Sequence, residues 1–493
     1  MNRQLRRLAV GLMACFVVLF VQLNFLQVVN ANALKRRPDN TREIIRDFTR
    51  ARGTIYSADN QVLAQSIATD DKYKWQRTYP LGDLFSHPVG YFSLKYGTSE
   101  VENVFNDVLT GRTAQQELRD LGNLFDAKVN TGDVYLTLRA DLQQVARDAL
   151  GDLEGSVVLL DPRTGAIFAM WSNPGFDPNL LASHNLAKAD EARALYLLNK
   201  EQQPLLARAY QERYMPGSTF KVLTSAIALD ANVVNEVSDF PAARAWTPPL
   251  TQTPIRNYGG ELCGGTFRRV FTVSCNIPFA QTGVDLGATE MVAGVDRFGF
   301  QEPVPIDLPG AAASFFGTVA DFDQDDPRLA QSSFGQNAVQ GTPLHMAMAA
   351  AAVANGGVIM TPHVLSETRD SGGSVLTRYD PKPWRTAMKK STAETLTSFM
   401  TDVVNNGTAR CCMKLANGMQ AAAKTGTAQL RGPTEPGGES SHAWIVGFAP
   451  AKDPTVAFAV FVKATPEVTA GVGGGIAGPV ARTLVDAALA VGS

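Results

Sequence analysis

The chain has 493 residues, room for two or three domains with cores of their own. A formal charge of −2 and a pI near 6.3 leave no electrostatic footprint for a nucleic-acid partner. No P-loop and no H-E-x-x-H pattern occurs and the 5 His are scattered, so no cofactor and no metal is implied.

Arg3, Arg6 and Arg7 precede an apolar run from Leu8 to Val21, which continues to Val29 with Gln22, Asn24 and Gln27 interspersed. The uninterrupted part fits a signal-peptide core, and Ala31-Asn32-Ala33 resembles a cleavage site. The full stretch is long enough to span a bilayer. Lys35-Arg36-Arg37 beyond it blunts any argument from flanking charge. The expected division is a tail over 1–7, an anchor over 8–29, an N-terminal domain over 30–137 and a catalytic domain over 138–493. Anchor and cleaved signal both export the body.

In the N-terminal domain the pattern Val101, Val104, Phe105, Val108, Leu109 predicts an amphipathic helix from Thr98 to Leu109, with Ser99 and Glu102 as a capping box and Gly111 as a stop. Leu142, Val145, Ala146 and Ala149 then share one helical face, followed by a hairpin of 157–161 and 166–171 around Pro162-Arg163-Thr164-Gly165. Met215 to Leu223 reads as a Pro-Gly turn running into a helix. Asp321 to Pro327 is an acidic run that reads as a surface loop. Met419 to Ala423 reads as a strand lining the cleft, and Gln429 to Ser441 is a Gly, Pro and Glu-rich loop, either a cover for the cleft or a plain connection. Residues 443–448 and 456–462 read as paired strands split by Pro450 to Pro454, and Val480, Leu484, Ala487 and Ala488 mark a final helix. Strands at both ends around a helical insert predict an α+β domain with a central antiparallel sheet. His442 and Trp444 flank its cleft strand in core or rim roles.

Export changes how the cysteines read. Cys15 lies in the membrane run, while Cys263, Cys275, Cys411 and Cys412 face an oxidising compartment and allow three pairings. Cys411 and Cys412 pair with each other only through a strained ring.

Three patterns carry the chemistry: Ser218-x-x-Lys221, then Ser274-x-Asn276, then Lys424-Thr425-Gly426. Ser218 is the only Ser with Lys three residues on, and K-T-G occurs once. The other S-x-N, at Ser183, lies upstream of Ser218 and so falls in the wrong order. A free serine is a poor nucleophile, so acyl transfer needs a base within reach. Helical spacing sets Lys221 over Ser218. Lysine serves as a base only where burial or neighbouring cations lower its pKa. Ser274 is placed to relay a proton and Asn276 to hold a peptide carbonyl. Lys424, Thr425 and Thr427 suit a carboxylate, and Gly426 lets the backbone approach a ligand.

With these motifs the chain resembles the class B penicillin-binding proteins, more narrowly the penicillin-binding protein A group of actinobacteria. The likeness extends to Arg52-Gly53-Thr54-Ile55-Tyr56, Val89 to Leu94, Asp177 to Asn185, Asn257-Tyr258-Gly259-Gly260, Gly335-Gln336 and Ala354-Asn355-Gly356-Gly357. The resemblance implies a penicilloyl-serine transferase fold behind a retained anchor and a pedestal or dimerisation-like domain. It implies Ser218 as acylated nucleophile, Lys221 as general base, Ser274 and Asn276 in relay and holding, and Lys424 with Thr425 on the terminal carboxylate. The backbone N–H groups of Ser218 and Thr427 become the oxyanion hole. It favours a Cys263–Cys275 disulfide. The implied activity is D,D-transpeptidation of peptidoglycan stem peptides ending in D-Ala-D-Ala, serving division, with β-lactams as covalent inhibitors and a SEDS-type glycan polymerase and division proteins as partners. Ser-Cys-Asn departs from the commoner Ser-Asp-Asn at a variable position. A D,D-carboxypeptidase shares these motifs; a β-lactamase or a β-lactam sensor fits less well.

Overall fold

The computed structural model describes residues 2–25, 48–114, 116, 131–431, 440–465, 468 and 473–491. Helix α1 (Asn2–Asn24) opens the chain. The most apolar 18 residues of its span Arg3–Asn24 have a mean hydropathy of 1.9 and none of that stretch is buried. At 1.5 Å per residue the whole span is about 33 Å, the thickness of a hydrocarbon core. The expected extension to Val29 and the Ala31-Asn32-Ala33 site lie outside the described residues.

Strands β1 (Ile55–Tyr56), β2 (Val62–Ala68), β3 (Trp75–Thr78) and β4 (Gly132–Leu136) follow, with helices α2 (Glu100–Val104) and α3 (Asn106–Thr110) between β3 and β4. The single helix expected over 98–109 is therefore two short ones, broken at Phe105. The capping box does not form. The Ser99 hydroxyl accepts from the Tyr91 N–H at 3.1 Å, and Glu102 lies fully buried between Arg52 (2.6 Å) and Arg77 (2.5 Å). Two buried guanidinium groups need a counter-charge far more than a helix start needs a cap. Val101 and Leu109 are buried as the periodicity requires.

From residue 140 the elements are α4 (Ala140–Leu150), β5 (Gly155–Leu160), β6 (Ile167–Asn173), α5 (Lys221–Asp230), β7 (Asp239–Ala243), β8 (Cys263–Thr266), α6 (Phe267–Thr272), α7 (Ile277–Arg297) and α8 (Pro343–Ala354). Then come β9 (Leu365–Asp370), β10 (Val375–Arg378), α9 (Lys390–Asn406), β11 (Ala422–Arg431), β12 (Ser440–Ala449), β13 (Val456–Val462) and α10 (Gly473–Val491). The hairpin, the late strand pair and the final helix all form where the pattern placed them.

Two sheets organise the molecule. One has the order β11-β12-β13-β5-β6, antiparallel throughout. Every residue of β5, β12 and β13 is buried, because α4 and α10 cover one face and α8 the other. Helix α10 is apolar and long enough to span a membrane, but much of it is buried against this sheet. The other sheet has the order β10-β9-β4-β1-β2-β3. Its β9–β4 pairing joins Leu365 to Leu136 across more than two hundred residues, so the N-terminal sheet is completed by a hairpin from late in the chain.

The acidic run expected as a surface loop instead caps helices. Thr318 and Asp321 form a reciprocal capping box on a 3-10 turn, and the Asp325 carboxylate accepts from the Arg328 N–H at 3.1 Å at the start of the next helix. Carboxylates at helix N-termini satisfy orphan N–H groups that a loop does not present. Strand β11 begins at Ala422, so Met419 to Ala421 lead into it rather than belong to it. In the Gln429–Ser441 segment, 429–431 extend β11, Ser440 and Ser441 begin β12, and 432–439 lie outside the described residues.

Candidate active site

The site lies where the edge strand β11 meets a lobe of helices α5, α6, α7 and α9, with α9 packed directly on the strand. Residues Gly217–Phe220 form a single 3-10 turn that runs into α5, whose first residue is Lys221. In a 3-10 turn positions i and i+3 eclipse, so Ser218 and Lys221 share a side. The turn is held closely. Gly217 (φ +54°) donates its N–H to the Gly335 carbonyl at 2.9 Å, Trp444 Nε1 donates to the Met215 carbonyl at 3.0 Å, and Thr219 Oγ1 donates to the Pro216 carbonyl at 2.7 Å. A Cβ on Gly217 would sit 2.6 Å from the Thr427 carbonyl, so only glycine fits between turn and strand.

Ser274 and Asn276 are positioned by the way α6 ends. The Cys275 N–H donates to the Val270 carbonyl (2.9 Å) and the Ser274 N–H to the Phe271 carbonyl (3.2 Å), the nested pair of a Schellman motif. Ser274 occupies its left-handed position at φ +64°, where glycine is usual. Backbone strain of this kind persists where the surroundings over-determine it. Here the next residue, Cys275, is bonded to Cys263 on β8. Asn276 then leads into α7, and its N–H and that of Ile277 both donate to Asn257 Oδ1, at 2.9 and 3.1 Å.

The consequence is one cluster. Lys221 Nζ lies 2.9 Å from the Ser274 carbonyl, 2.8 Å from Asn276 Oδ1 and 3.3 Å from Ser274 Oγ. Lys424 Nζ donates to Ser274 Oγ at 2.8 Å and to the Thr425 carbonyl at 3.1 Å. Both lysines are 0 % exposed, and among the described residues neither has an acidic partner. Burial, and after it the Lys424 ammonium, hold Lys221 well below the ordinary lysine range. Burial brings Lys424 down to about 7.

The expected stacking of Lys221 on Ser218 is only partly met. The half-buried Ser218 hydroxyl has no hydrogen-bond partner among the described residues, and the Lys221 amine is turned to Ser274 and Asn276, whose carbonyl oxygens are the stronger acceptors. A Cβ on Gly426 would meet the Pro216 carbonyl and Thr219 Cγ2 at 2.8 Å, so the serine turn needs the space there. Thr425 and Lys424 diverge as strand alternation requires. Thr425 Oγ1 shares a 2.5 Å hydrogen bond with Thr408 Oγ1, and the Thr427 hydroxyl accepts from the Gly473 N–H at 3.4 Å. Gln336 borders the outer edge of β11. With its amide oriented to satisfy both ends, it accepts from the Gln429 N–H (3.1 Å) and donates to the Gln429 carbonyl (3.3 Å). The period of an antiparallel strand turns the Thr427 N–H to that same edge, toward the serine turn.

Asn257 and Thr408 support this site without having been assigned a role from sequence. Asn257 also donates to the carbonyls of Ala243 (2.8 Å) and Glu261 (3.1 Å), and an Asn two residues before Gly259-Gly260 is a turn signal in sequence. Thr408 has no such signal. His442 and Trp444 are buried and pack on Phe461, which places both in the core.

An antiparallel sheet flanked by helices, with a serine turn and two buried lysines meeting on one S-x-N serine at its edge, defines the penicillin-binding class of serine acyl-transferases. Residues 155–486 match the family model of the penicillin-binding protein transpeptidase domain, and residues 52–134 match that of the penicillin-binding protein A dimerisation domain. The chain belongs to the penicillin-binding protein transpeptidase family. It is 36% identical to the peptidoglycan D,D-transpeptidase PbpA of Mycolicibacterium smegmatis, with 100% of both chains covered. It is 34% identical to the protein of that name from Mycobacterium tuberculosis, with 99% of each covered. Penicillin-binding protein A from M. tuberculosis as its ceftriaxone acyl-enzyme superposes with a TM-score of 0.82 at 33% identity, over 90% of this chain and 100% of that one. Its penicillin G acyl-enzyme gives 0.81 at 34% identity, over 89% and 100%.

Proposed function

We propose that this chain is a membrane-anchored peptidoglycan D,D-transpeptidase acting through a Ser218 acyl-enzyme. The observation that carries the mechanism is the set of partners around Lys221. A neutral amine has two N–H bonds, and the Ser274 carbonyl and Asn276 Oδ1, neither of which can donate, take both. The lone pair then remains for a hydroxyl, which is what a general base requires. Ser218 Oγ attacks the carbonyl of the D-Ala-D-Ala bond as its proton passes to Lys221. The oxyanion is held by the N–H groups of Ser218 and Thr427. Ser274 Oγ, already hydrogen-bonded to Lys424, hands a proton to the departing D-Ala amine and is reprotonated from Lys221. Asn276 has its oxygen on Lys221 and one Nδ2 hydrogen on the Arg256 carbonyl at 3.3 Å, which leaves the other for a substrate carbonyl. Lys424, Thr425 and Thr427 bind the terminal carboxylate beside Gly426. An amine from a second stem peptide resolves the ester and forms the cross-link.

The same reading places a cytoplasmic tail at 1–7, a single-pass anchor at 8–29, a pedestal at 30–137 and the transpeptidase at 138–493, with the catalytic body outside the cytoplasm. The exposed apolar helix α1 and the matched dimerisation segment support it. A SEDS-type glycan polymerase and division proteins are the partners this arrangement suits. The direct test supplies a stem pentapeptide ending in D-Ala-D-Ala and an acceptor amine. The expected result is release of D-Ala with a cross-linked product. Release of D-Ala with only the hydrolysed tetrapeptide would overturn transpeptidation in favour of a carboxypeptidase.

A further inference from the structure

The turn after α9 carries two features that meet. Thr408 hydrogen-bonds Thr425 of the K-T-G strand, and three residues on stand the adjacent free thiols Cys411 and Cys412. The Cys411 sulfur is exposed and lies 4.0 Å from the Thr408 carbonyl. Cys412 is buried and lies 3.6 Å from the Ala409 carbonyl. Helix α10 closes over the pair with small residues. A Cβ on Gly478 would stand 2.6 Å from Cys412 Sγ, and one on Gly474 would stand 3.5 and 3.6 Å from the two sulfurs and 2.6 Å from the Thr408 carbonyl.

From this geometry we infer that Cys411 and Cys412 form a thiol-modification site, oxidised to a vicinal disulfide by small-molecule disulfides, whose closure withdraws Thr408 from Thr425 and slows acylation of Ser218. The exposed Cys411 thiolate attacks the reagent disulfide, giving a mixed disulfide and one thiol. Cys412 then attacks the Cys411 sulfur, giving the protein disulfide and a second thiol. One reagent disulfide is reduced and two protein thiols are oxidised, with both protons leaving on the released thiols. Cys411 is the exposed thiol and Cys412 the buried one, whose burial pushes it up to about 12, so a reagent from solvent meets Cys411 first. Adjacent α-carbons stand about 3.8 Å apart, short of the roughly 4.4–6.8 Å that a disulfide ordinarily spans. Closing the ring therefore reshapes the turn. Its bonds from the Cys412 and Met413 N–H groups to the Ala409 carbonyl, both 3.1 Å, lie directly behind Thr408.

The inference rests on the proposed reading of Ser218 and K-T-G. The experiment separates the two. The full chain carrying Cys15→Ser is treated with 4,4′-dithiodipyridine, released thiopyridone and intact mass are recorded, and the benzylpenicillin acylation rate is compared before and after. The expected result is two thiopyridones per chain, a mass lower by two hydrogens, and acylation slowed about tenfold, the order expected when a support misplaces a binding group. The same chain with Cys411→Ser added should acylate at the untreated rate and keep that rate after treatment. Thr408→Val without oxidant should reproduce the slowing. A stable mixed disulfide on Cys411, or a vicinal disulfide that leaves the rate unchanged, would overturn the inference. Failure of the untreated protein to acylate would instead count against the reading of Ser218.

Discussion

Lys424 should be a liability to the fold that function retains, and replacing it with methionine measures that directly. Its amine is fully buried without an acidic partner among the described residues, and burial takes it from 10.5 to about 7. At 1.36 kcal/mol per pH unit this is a cost of about 4–5 kcal/mol at neutral pH. Methionine matches the length, removes that cost and relieves the repulsion on Lys221. Against it stands the Thr425 carbonyl, which loses its 3.1 Å partner at about 1–3 kcal/mol. The balance predicts Lys424→Met more stable by about 1–4 kcal/mol at pH 7. The sign with pH follows from proton counting. Between about 7 and 10.5 the unfolded lysine is charged and the native one is not, so wild-type stability rises with pH in that window and falls as pH drops through it. The advantage of methionine should be greatest at or below pH 7 and shrink by about 1.4 kcal/mol per pH unit toward pH 10. Thermal unfolding of both proteins from pH 6.5 to 9.5 reads it, and acylation by penicillin should fall about a hundredfold or more. A variant less stable than wild type at pH 7, or a difference flat with pH, would refute the argument.

Ser274→Gly should be more stable than Ser274→Ala by about 1 kcal/mol, because both lose the hydroxyl but only glycine relaxes at φ +64°. Paired denaturation curves decide it, and both variants should acylate slowly. Asn257→Ala strips four hydrogen bonds from the segment that sets Asn276. It should cost about 3 kcal/mol and slow acylation about tenfold, while Asn257→Asp, which keeps the two acceptor bonds to α7, should recover most of the rate. Equal rates for the two variants would remove Asn257 from the positioning of Lys221.

The chemistry was legible because it lies in short motifs whose order is hard to obtain by chance. The central sheet was legible because the stretches 157–160 of β5, 443–449 of β12 and 456–462 of β13 are uninterrupted apolar runs, as strands covered on both faces tend to be. What escaped the sequence was set by distant partners. A capping-box pattern at Ser99 and Glu102 lost to Arg52 and Arg77, which lie fifty and twenty-five residues away. The return of β9 and β10 to the N-terminal sheet has no local signal, since register across such a separation is fixed by the pleat of β4. The left-handed Ser274 carries no glycine to announce it. Its strain is visible only with the end of α6 and the Cys263–Cys275 bond in view. That pairing came from family resemblance and is present in the fold.

The measurement that bears most directly on the central claim is the intact mass of the full chain in detergent with benzylpenicillin, followed over hours beside Ser218→Ala. The account predicts one penicilloyl adduct that persists in the native chain and is absent from the variant. An adduct that survives Ser218→Ala, one that disappears within seconds as penicillin is consumed, or none on folded protein would contradict it.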